Sequence, residues 1–247
     1  MREVKRRTSF GLRQLRLATG LVLFLYISTH LINHALGLFG LGLAERVLVV
    51  AKSVWYSVPG TIVLYGAAAI HVSLALRTIY LRPHWRLPLV EYIRLGAGFT
   101  LPLLLIGHVV VTRLAFALHV ADPHYAPIVA NLVKSGTEGW QLALLAPGWV
   151  HGCLGLWLSV AHHKPGRALR WGFNALVVLV PCLAAAGFLN MRAEIALQLP
   201  TMPAGPSDAA RMDLELWRKT LLGIYLFLVA AALALGPVRR SLRLRAS

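Results

Sequence analysis

The sequence contains few acidic residues and few cysteines. Only 9 Asp and Glu stand against 25 Lys and Arg in 247 residues, which gives a formal net charge of +16. Cys153 and Cys182 form no Cys-x-x-Cys pair, so the sequence predicts no disulfide framework, iron–sulfur site or covalent c-type haem attachment. Charged residues make up only 14% of the chain, whereas soluble domains average about 25%. The composition therefore argues against a soluble fold.

The sequence is instead rich in long apolar runs. The chain is 57% hydrophobic with a mean hydropathy of +0.66, and six runs approach the ~20 residues that a helix needs to cross a membrane. These runs are Leu15 to Phe39, Val54 to Leu81, Leu95 to His119, Trp140 to Ala161, Trp171 to Asn190 and Leu221 to Leu235. We predict an all-α integral membrane protein with six transmembrane helices. No small-residue cleavage site follows the first run, so we expect a retained helix and not a signal peptide.

The basic residues lie between and outside the apolar runs. They could suggest a nucleic-acid partner, but their position in short loops favours a role in membrane topology. They occur in the N-terminal segment (Arg2, Lys5, Arg6, Arg7, Arg13, Arg16), the second loop (Arg82, Arg86, Arg94), the fourth loop (Lys164, Arg167, Arg170) and the C-terminal segment (Arg239, Arg240, Arg243, Arg245). The other loops are balanced or acidic. The positive-inside rule thus predicts that both termini are cytoplasmic, and we expect no nucleic acid.

The predicted organisation has four parts. Residues 1–16 form a basic cytoplasmic tail, 17–190 a five-helix core, 191–216 a periplasmic loop rich in Pro, Ala and Gly, and 217–247 the sixth helix with a basic cytoplasmic end. A short surface helix is expected at Ala126 to Lys134.

Each of the first four apolar runs contains a histidine near its middle, namely His30, His71, His108 and His151. A polar side chain within the hydrocarbon region is costly and indicates a functional site. A single one of them could be a core histidine bonded to a neighbouring helix. One histidine on each of four helices is what a cofactor held inside a four-helix bundle requires.

The depths of these histidines divide them into two pairs. At ~1.5 Å per residue, His30 and His108 lie ~20 Å from the inner surface, nearer the outside. His71 and His151 lie ~17–20 Å below the outer surface, in the inner half of the bilayer. Two imidazoles at one height can ligate a haem iron from opposite faces. A zinc or copper site would need all ligands at one depth, and proton paths usually use Asp or Glu, so haem is favoured.

Four segments carry a family resemblance. The run ISTHLINHAL, from Ile27 to Leu36, resembles the first helix of the cytochrome b membrane anchors of succinate dehydrogenases and fumarate reductases, where a His-Leu-x-x-Asn segment supplies a haem ligand. IHV at His71, GHVVVTR at His108 and VHGCLGLW at His151 resemble the other three ligand helices of that family, in the same order. The resemblance covers about the first 190 residues. It implies two haem b groups, with His30 and His108 on the outer iron and His71 and His151 on the inner iron.

The C-terminal part departs from the five-helix anchors, because a sixth helix leads into the arginine-rich end of the chain. This arrangement, the segment from Arg16 to His34 and the Leu64-Tyr65-Gly66 step are more similar to the N-terminal membrane receptor domain of bacterial adenylate and guanylate cyclases built on the same fold. In such proteins a ferredoxin-like module, a cyclase domain or both would follow. The resemblance implies a bacterial inner membrane location and a possible homodimer.

Two further residues lie near the outer pair. His34, one helical turn from His30, could line the haem edge, bind quinone or substitute as a ligand, and a supporting contact is favoured. Arg113 could pair with a haem propionate or serve as an interfacial cation. His84, His119, His124, His162 and His163 are expected to be solvated loop residues.

Two functions fit these observations. One is a haem sensor that exchanges electrons with the quinone pool and regulates a cytoplasmic nucleotide cyclase. The other is a cytochrome b anchor that passes electrons between quinone and a flavoprotein with an iron–sulfur subunit. No residue of this chain is predicted to be catalytic. A histidine-lined transporter is disfavoured because the apolar runs contain almost no acidic residues.

Overall fold

The structure, a computed structural model, describes residues 2–119, 124–201 and 205–245; of residues 2–10, 119 and 243–245 only the backbone is described. The helices are α1 (Arg2–Leu36), α2 (Leu41–Trp55), α3 (Val58–Tyr80), α4 (Leu89–Val109), α5 (Ala115–His119), α6 (Tyr125–Ser135), α7 (Glu138–Val160), α8 (Arg167–Gln198) and α9 (Asp208–Arg245). A π-helical segment, Val110–Leu114, joins α4 to α5. No β-strand occurs in these three ranges.

Six helices are long and apolar enough to cross a membrane, which confirms the predicted number. They are built on α1, α3, α4 with its π-helical extension, α7, α8 and α9. The helix α4 packs on α7, α1 packs on α3 and α8, and α9 packs on α3 and α4. Large apolar side chains such as Leu25, Ile62, Leu179 and Phe227 remain exposed on the outer surface. An apolar exterior of this kind suits contact with membrane lipid.

The two ends of the bundle differ in charge. At one end, which we call the basic end, Arg16 Nη1 of α1 donates to Thr78 Oγ1 of α3 at 3.2 Å, and Arg240 Nη1 of α9 donates to Arg82 O at 2.6 Å. At the far end, Arg192 pairs with Glu138 at 3.1 Å. The cation at the far end is thus paired with a carboxylate, whereas Arg16 and Arg240 at the basic end bond to uncharged oxygens.

The helices extend further than the sequence predicts at the far end. The predicted loop over residues 191–216 is corrected, because α8 continues to Gln198 and α9 begins at Asp208. Polar residues that suggested a loop have partners on other helices: both oxygens of Glu194 accept from the N–H of Leu41, and Asn190 Nδ2 donates to Gly37 O at 2.9 Å. These bonds satisfy the polar groups inside the fold, so the helix does not need to end.

Two other elements differ from the prediction, and a third agrees with it. The helix α1 begins at Arg2, so no break separates the predicted tail 1–16 from the first span. Sequence reasoning missed α2, whose charged residues had suggested a loop. The predicted surface helix at Ala126–Lys134 is present as α6. Together α2 and α6 cover the far end, where Tyr125, Val129 and Leu132 form a buried cluster with Phe188 and Met191 of α8.

A close crossing fixes α1 against α8. A Cβ atom at Gly187 would overlap the carbonyl oxygen of His34 and contact Ala35. Gly187 therefore allows the two helix backbones to touch beside His34. This contact holds the part of α1 that carries His30.

We expect Gly187→Ala to destabilise the fold by about 1–3 kcal/mol, because the new methyl group must push α1 and α8 apart. Thermal unfolding in detergent measures the loss. Gly172→Ala on the same helix is the control, since no atom lies within 4 Å of its Cβ position, and it should be neutral or stabilising by about 0.5–1 kcal/mol. Equal melting temperatures for the two variants would contradict the proposed role of the crossing.

Candidate functional site

A cavity of about 1090 Å³ lies inside the bundle, between α1, α3, α4 and α7. Ordinary small-molecule sites occupy ~300–1,000 Å³, so this cavity lies just above that range. His30, His71, His108 and His151 all line it. It extends from Arg13 and Arg82 at the basic end to Lys52 and Tyr125 at the far end.

The four histidines lie in two pairs inside this cavity. The ring centroids of His30 and His108 are 5.8 Å apart, and those of His71 and His151 are 6.0 Å apart. These are the pairs that depth along the helices predicts. The His71–His151 pair lies nearer the basic end, because its hydrogen-bond partners are Thr19 and the Arg94 backbone.

His151 of α7 is held by a backbone carbonyl. Its Nδ1 donates to Arg94 O at 2.9 Å, and because a carbonyl can only accept, the proton of the neutral ring must lie on Nδ1. The lone pair is then on Nε2. Gly98 permits this contact, because a Cβ there would lie 2.5 Å from Nδ1 of His151.

His71 of α3 is held by the hydroxyl of Thr19. The carbonyls of Leu15 and Arg16, at 2.9 and 3.1 Å, are the acceptors for its single proton. With that proton engaged, the hydroxyl oxygen accepts from His71 Nδ1 at 3.3 Å. His71 accordingly also carries its proton on Nδ1 and its lone pair on Nε2.

His108 of α4 has the same arrangement. Its Nδ1 donates to Gln141 Oε1 of α7 at 2.7 Å. The π-helical segment Val110–Leu114 begins two residues later, and the Thr112 hydroxyl donates to His108 O at 2.7 Å. Single π-helical turns inside α-helices are frequent at functional sites.

His30 differs from the other three. Its Nε2 lies 3.2 Å from Nε2 of His34, so one of these nitrogens donates to the other. The ring of Tyr26 stacks on the other side of His30, with centroids 5.8 Å apart. His34 is thus in direct contact with a predicted ligand, and its own Nδ1 is buried without a partner among the described residues.

Asn33 and Tyr125 are polar groups that sequence reasoning did not assign. Asn33 is only 2% exposed, and its Nδ2 donates to Tyr125 Oη at 3.1 Å. Its Oδ1 has no partner in the described part of the chain. Burial raises the pKa of Tyr125, so the phenol stays protonated. A signal was present, since Asn33 lies in the polar run His30-Leu31-Ile32-Asn33-His34 within an apolar helix.

Arg113 lies in the π-helical segment. Its Nη2 donates to Thr61 Oγ1 at 2.8 Å, and its guanidinium lies 4.0 Å from the ring centroid of Tyr56. Burial raises the pKa of Tyr56, and Arg113 opposes that rise. The Nη1 of Arg113 is buried and has no partner among the described residues. The same holds for Nε of Arg82 at the basic end. Both arginines line the cavity.

The remaining histidines lie outside the two pairs. His84, His162 and His163 are exposed, as expected for loop residues. His124 is half-buried, and its Nδ1 contacts Glu45 Oε2 of α2 at 2.9 Å, so it joins α6 to α2 and is not simply solvated. The side chain of His119 lies outside the described residues. Within those residues, no three or more His, Cys, Asp or Glu are grouped as a bare metal ion would require.

Comparisons with protein-family models, curated proteins and solved structures find no match to this chain. The resemblance to cytochrome b anchors and cyclase receptor domains therefore stays a prediction from four sequence segments. Any function must be argued from the paired histidines and their surroundings.

We expect Gly98→Ala to displace the His151 ring, because the new methyl group would occupy the position of Nδ1. The hydrogen bond to Arg94 O would be lost, and both neutral tautomers would become populated. Nitrogen-15 NMR of histidine-labelled protein measures this change.

Gly96→Ala on the same helix is the control, because no atom lies within 4 Å of its Cβ position. It should leave the His151 signals unchanged. A spectrum of Gly98→Ala identical to that of the parent protein would contradict the assigned contact.

Proposed function

We propose that this chain is a membrane domain that binds two haem b groups, one held by His30 and His108 and the other by His71 and His151. The observation that carries the proposal is that four imidazoles line one cavity as two pairs, with ring centroids 5.8 and 6.0 Å apart within the pairs. In three of the four rings Nδ1 is bound to the protein and Nε2 is left for a metal. Metal-ligating histidines usually have this arrangement, because the second hydrogen bond fixes the tautomer and orients the ring.

The spacing of the pairs supports one ion between each. With about 2 Å from metal to each nitrogen, two opposed imidazoles place their ring centroids roughly 6–6.5 Å apart. The centroid separations of 5.8 and 6.0 Å are close to this value. The centroid spacing therefore leaves room for one metal ion between the rings of each pair.

Two guanidinium nitrogens that have no partner among the described residues also support haem binding. Haem carries two propionate groups, and buried arginine is the usual partner for a carboxylate. Arg113 would hold a propionate near the His30–His108 pair. Arg82, together with Arg16, would do so near the His71–His151 pair at the basic end.

A bound haem b would supply one-electron chemistry, which suits exchange with the membrane quinone pool. We place the basic end in the cytoplasm by the positive-inside rule. At the opposite end, Asn33 Oδ1 and Tyr125 Oη border the cavity and offer hydrogen bonds to a quinone. The two pairs would then lie at different depths along the membrane normal.

The contacts of α9 favour a sensor that regulates a cytoplasmic nucleotide cyclase. Leu214 packs on Val110 and Ala115, next to the π-helical segment that follows His108. Further along, Tyr225 Oη donates to Phe99 O of α4 at 2.8 Å. Because Arg240 bonds Arg82 O at the basic end, α9 connects the surroundings of both pairs to the cytoplasmic side. A cytochrome b anchor for a flavoprotein complex is the alternative.

Histidine substitutions test the haem assignment. Purified wild-type protein should contain two haems per chain by the pyridine haemochrome assay. His71→Ala and His151→Ala should each lose the same haem, and His108→Ala should lose the other one, because a single remaining imidazole holds haem weakly.

His84→Ala, which changes an exposed histidine outside the cavity, should retain both haems. The proposal would be refuted by wild-type protein that binds no haem when haem is in ample supply. It would also be refuted by loss of different haems from His71→Ala and His151→Ala.

The sensor role predicts that α9 moves with the redox state. Spin labels at Leu242 of α9 and Trp171 of α8, both exposed, would be introduced after Cys153→Ala and Cys182→Ala. The distance between them, measured by pulsed EPR, should shift by about 1–2 Å or more between reduced and oxidised protein, a typical helix shift. Reduced samples can be reoxidised before measurement to show reversibility.

Tyr225→Phe removes the bond from α9 to Phe99 O and should diminish the shift without loss of haem. Identical distance distributions in the two redox states of the parent protein would count against a sensor and favour the anchor.

A further inference from the structure

The two histidine pairs differ in one respect. At His71, His108 and His151 the Nδ1 is bound to Thr19, Gln141 and the Arg94 carbonyl, so each Nε2 is left unshared. At His30, in contrast, Nε2 itself is shared with His34 Nε2 at 3.2 Å. Both rings of the His71–His151 pair therefore have an unshared Nε2, whereas in the His30–His108 pair a third imidazole, His34, contacts the Nε2 of His30.

The contact between His30 and His34 is incompatible with ligation by His30. A neutral ring nitrogen without a proton has a single lone pair, which can accept a hydrogen bond or bind a metal but not both. When His30 binds iron, His34 Nε2 loses its partner, and His34 Nδ1 already has none among the described residues. A buried polar group without a partner is destabilising.

The position of His34 allows it to replace His30. The two rings are one helical turn apart on α1, with centroids 4.6 Å apart, so both Nε2 atoms reach the same region of the cavity. On its other side His34 lies against Tyr125 and Phe188, at 5.3 and 6.1 Å between centroids. The Gly187 crossing keeps the α1 backbone in place, so only side chains need to turn.

We infer that His34 is an alternative ligand of the iron held by His108, and that this iron exchanges between His30 and His34 while the other iron does not. The inference rests on the proposed function. No imidazole lies one turn from His71 or His151, whose neighbours four residues away are Ala67 and Ala75, and Pro147 and Gly155. The exchange is thus confined to one pair.

The exchange balances without a further reactant. Each ring would keep one proton throughout. The ring that binds the iron through the Nε2 lone pair would carry its proton on Nδ1, and the released ring would be the one able to carry its proton on Nε2 and donate it. One nitrogen–iron bond would form as another broke, and both imidazoles would stay neutral with no change in oxidation state.

Haem retention in single and double variants tests the inference. His30→Ala should keep two haems per chain, because His34 replaces the lost ligand. The double variant His30→Ala with His34→Ala should keep one. His151→Ala is the matched control and should lose a haem, since no second imidazole is near. Melting temperatures identify variants that fail to fold, and the more conservative His30→Gln would then replace His30→Ala.

EPR of the ferric protein gives a second readout. Wild-type protein should show two low-spin forms of the exchanging haem, and His34→Ala should reduce these to one while keeping two haems. Loss of one haem from His30→Ala, or an EPR spectrum of His34→Ala identical to that of the wild type, would overturn the inference and leave the proposed function standing. Absence of haem from the wild type would overturn both.

Discussion

The arrangement of this site depends on how a neutral imidazole is held inside an apolar bundle. Such a ring has one nitrogen that donates and one that accepts, and a buried polar atom without a partner is costly. Thr19, Gln141 and the Arg94 carbonyl each occupy the Nδ1 of one histidine. Each of these bonds crosses between helices, so the bond that fixes a tautomer also fixes two helices relative to each other. The same bonds leave the Nε2 atoms of these three rings unshared, and all three residues line the cavity.

Close helix contacts make these bonds possible. His151 reaches the Arg94 carbonyl only because position 98 has no side chain, and α1 approaches α8 beside His34 only because position 187 has none. Around the cavity the walls are mostly apolar, which raises the cost of leaving any ring nitrogen unpaired. The close contacts at Gly98 and Gly187 therefore help to orient the rings that line the cavity.

Much of this arrangement could be predicted from the sequence. Apolar run length fixed the six spans, and the rise of a helix placed His30 with His108 and His71 with His151. The partners of the rings could not be predicted, because Thr19, Gln141 and Gly98 lie on other helices and no local pattern marks them. The end of α8 was missed for a similar reason: Arg192 and Glu194 resemble loop residues in sequence, yet their partners Glu138 and Leu41 are far along the chain.

The difference between the two pairs agrees with their positions in the fold. The His71–His151 pair is bonded to protein at both rings, through Thr19 and the Arg94 carbonyl. The His30–His108 pair has a third imidazole, His34, in contact with His30, and Leu214 of α9 packs on the π-helical segment after His108. A side chain that turns in this pair can alter the packing of α9, because tightly packed interfaces transmit small displacements. On the proposed function, the adaptable pair is therefore the one placed to convert a redox change into movement of a helix.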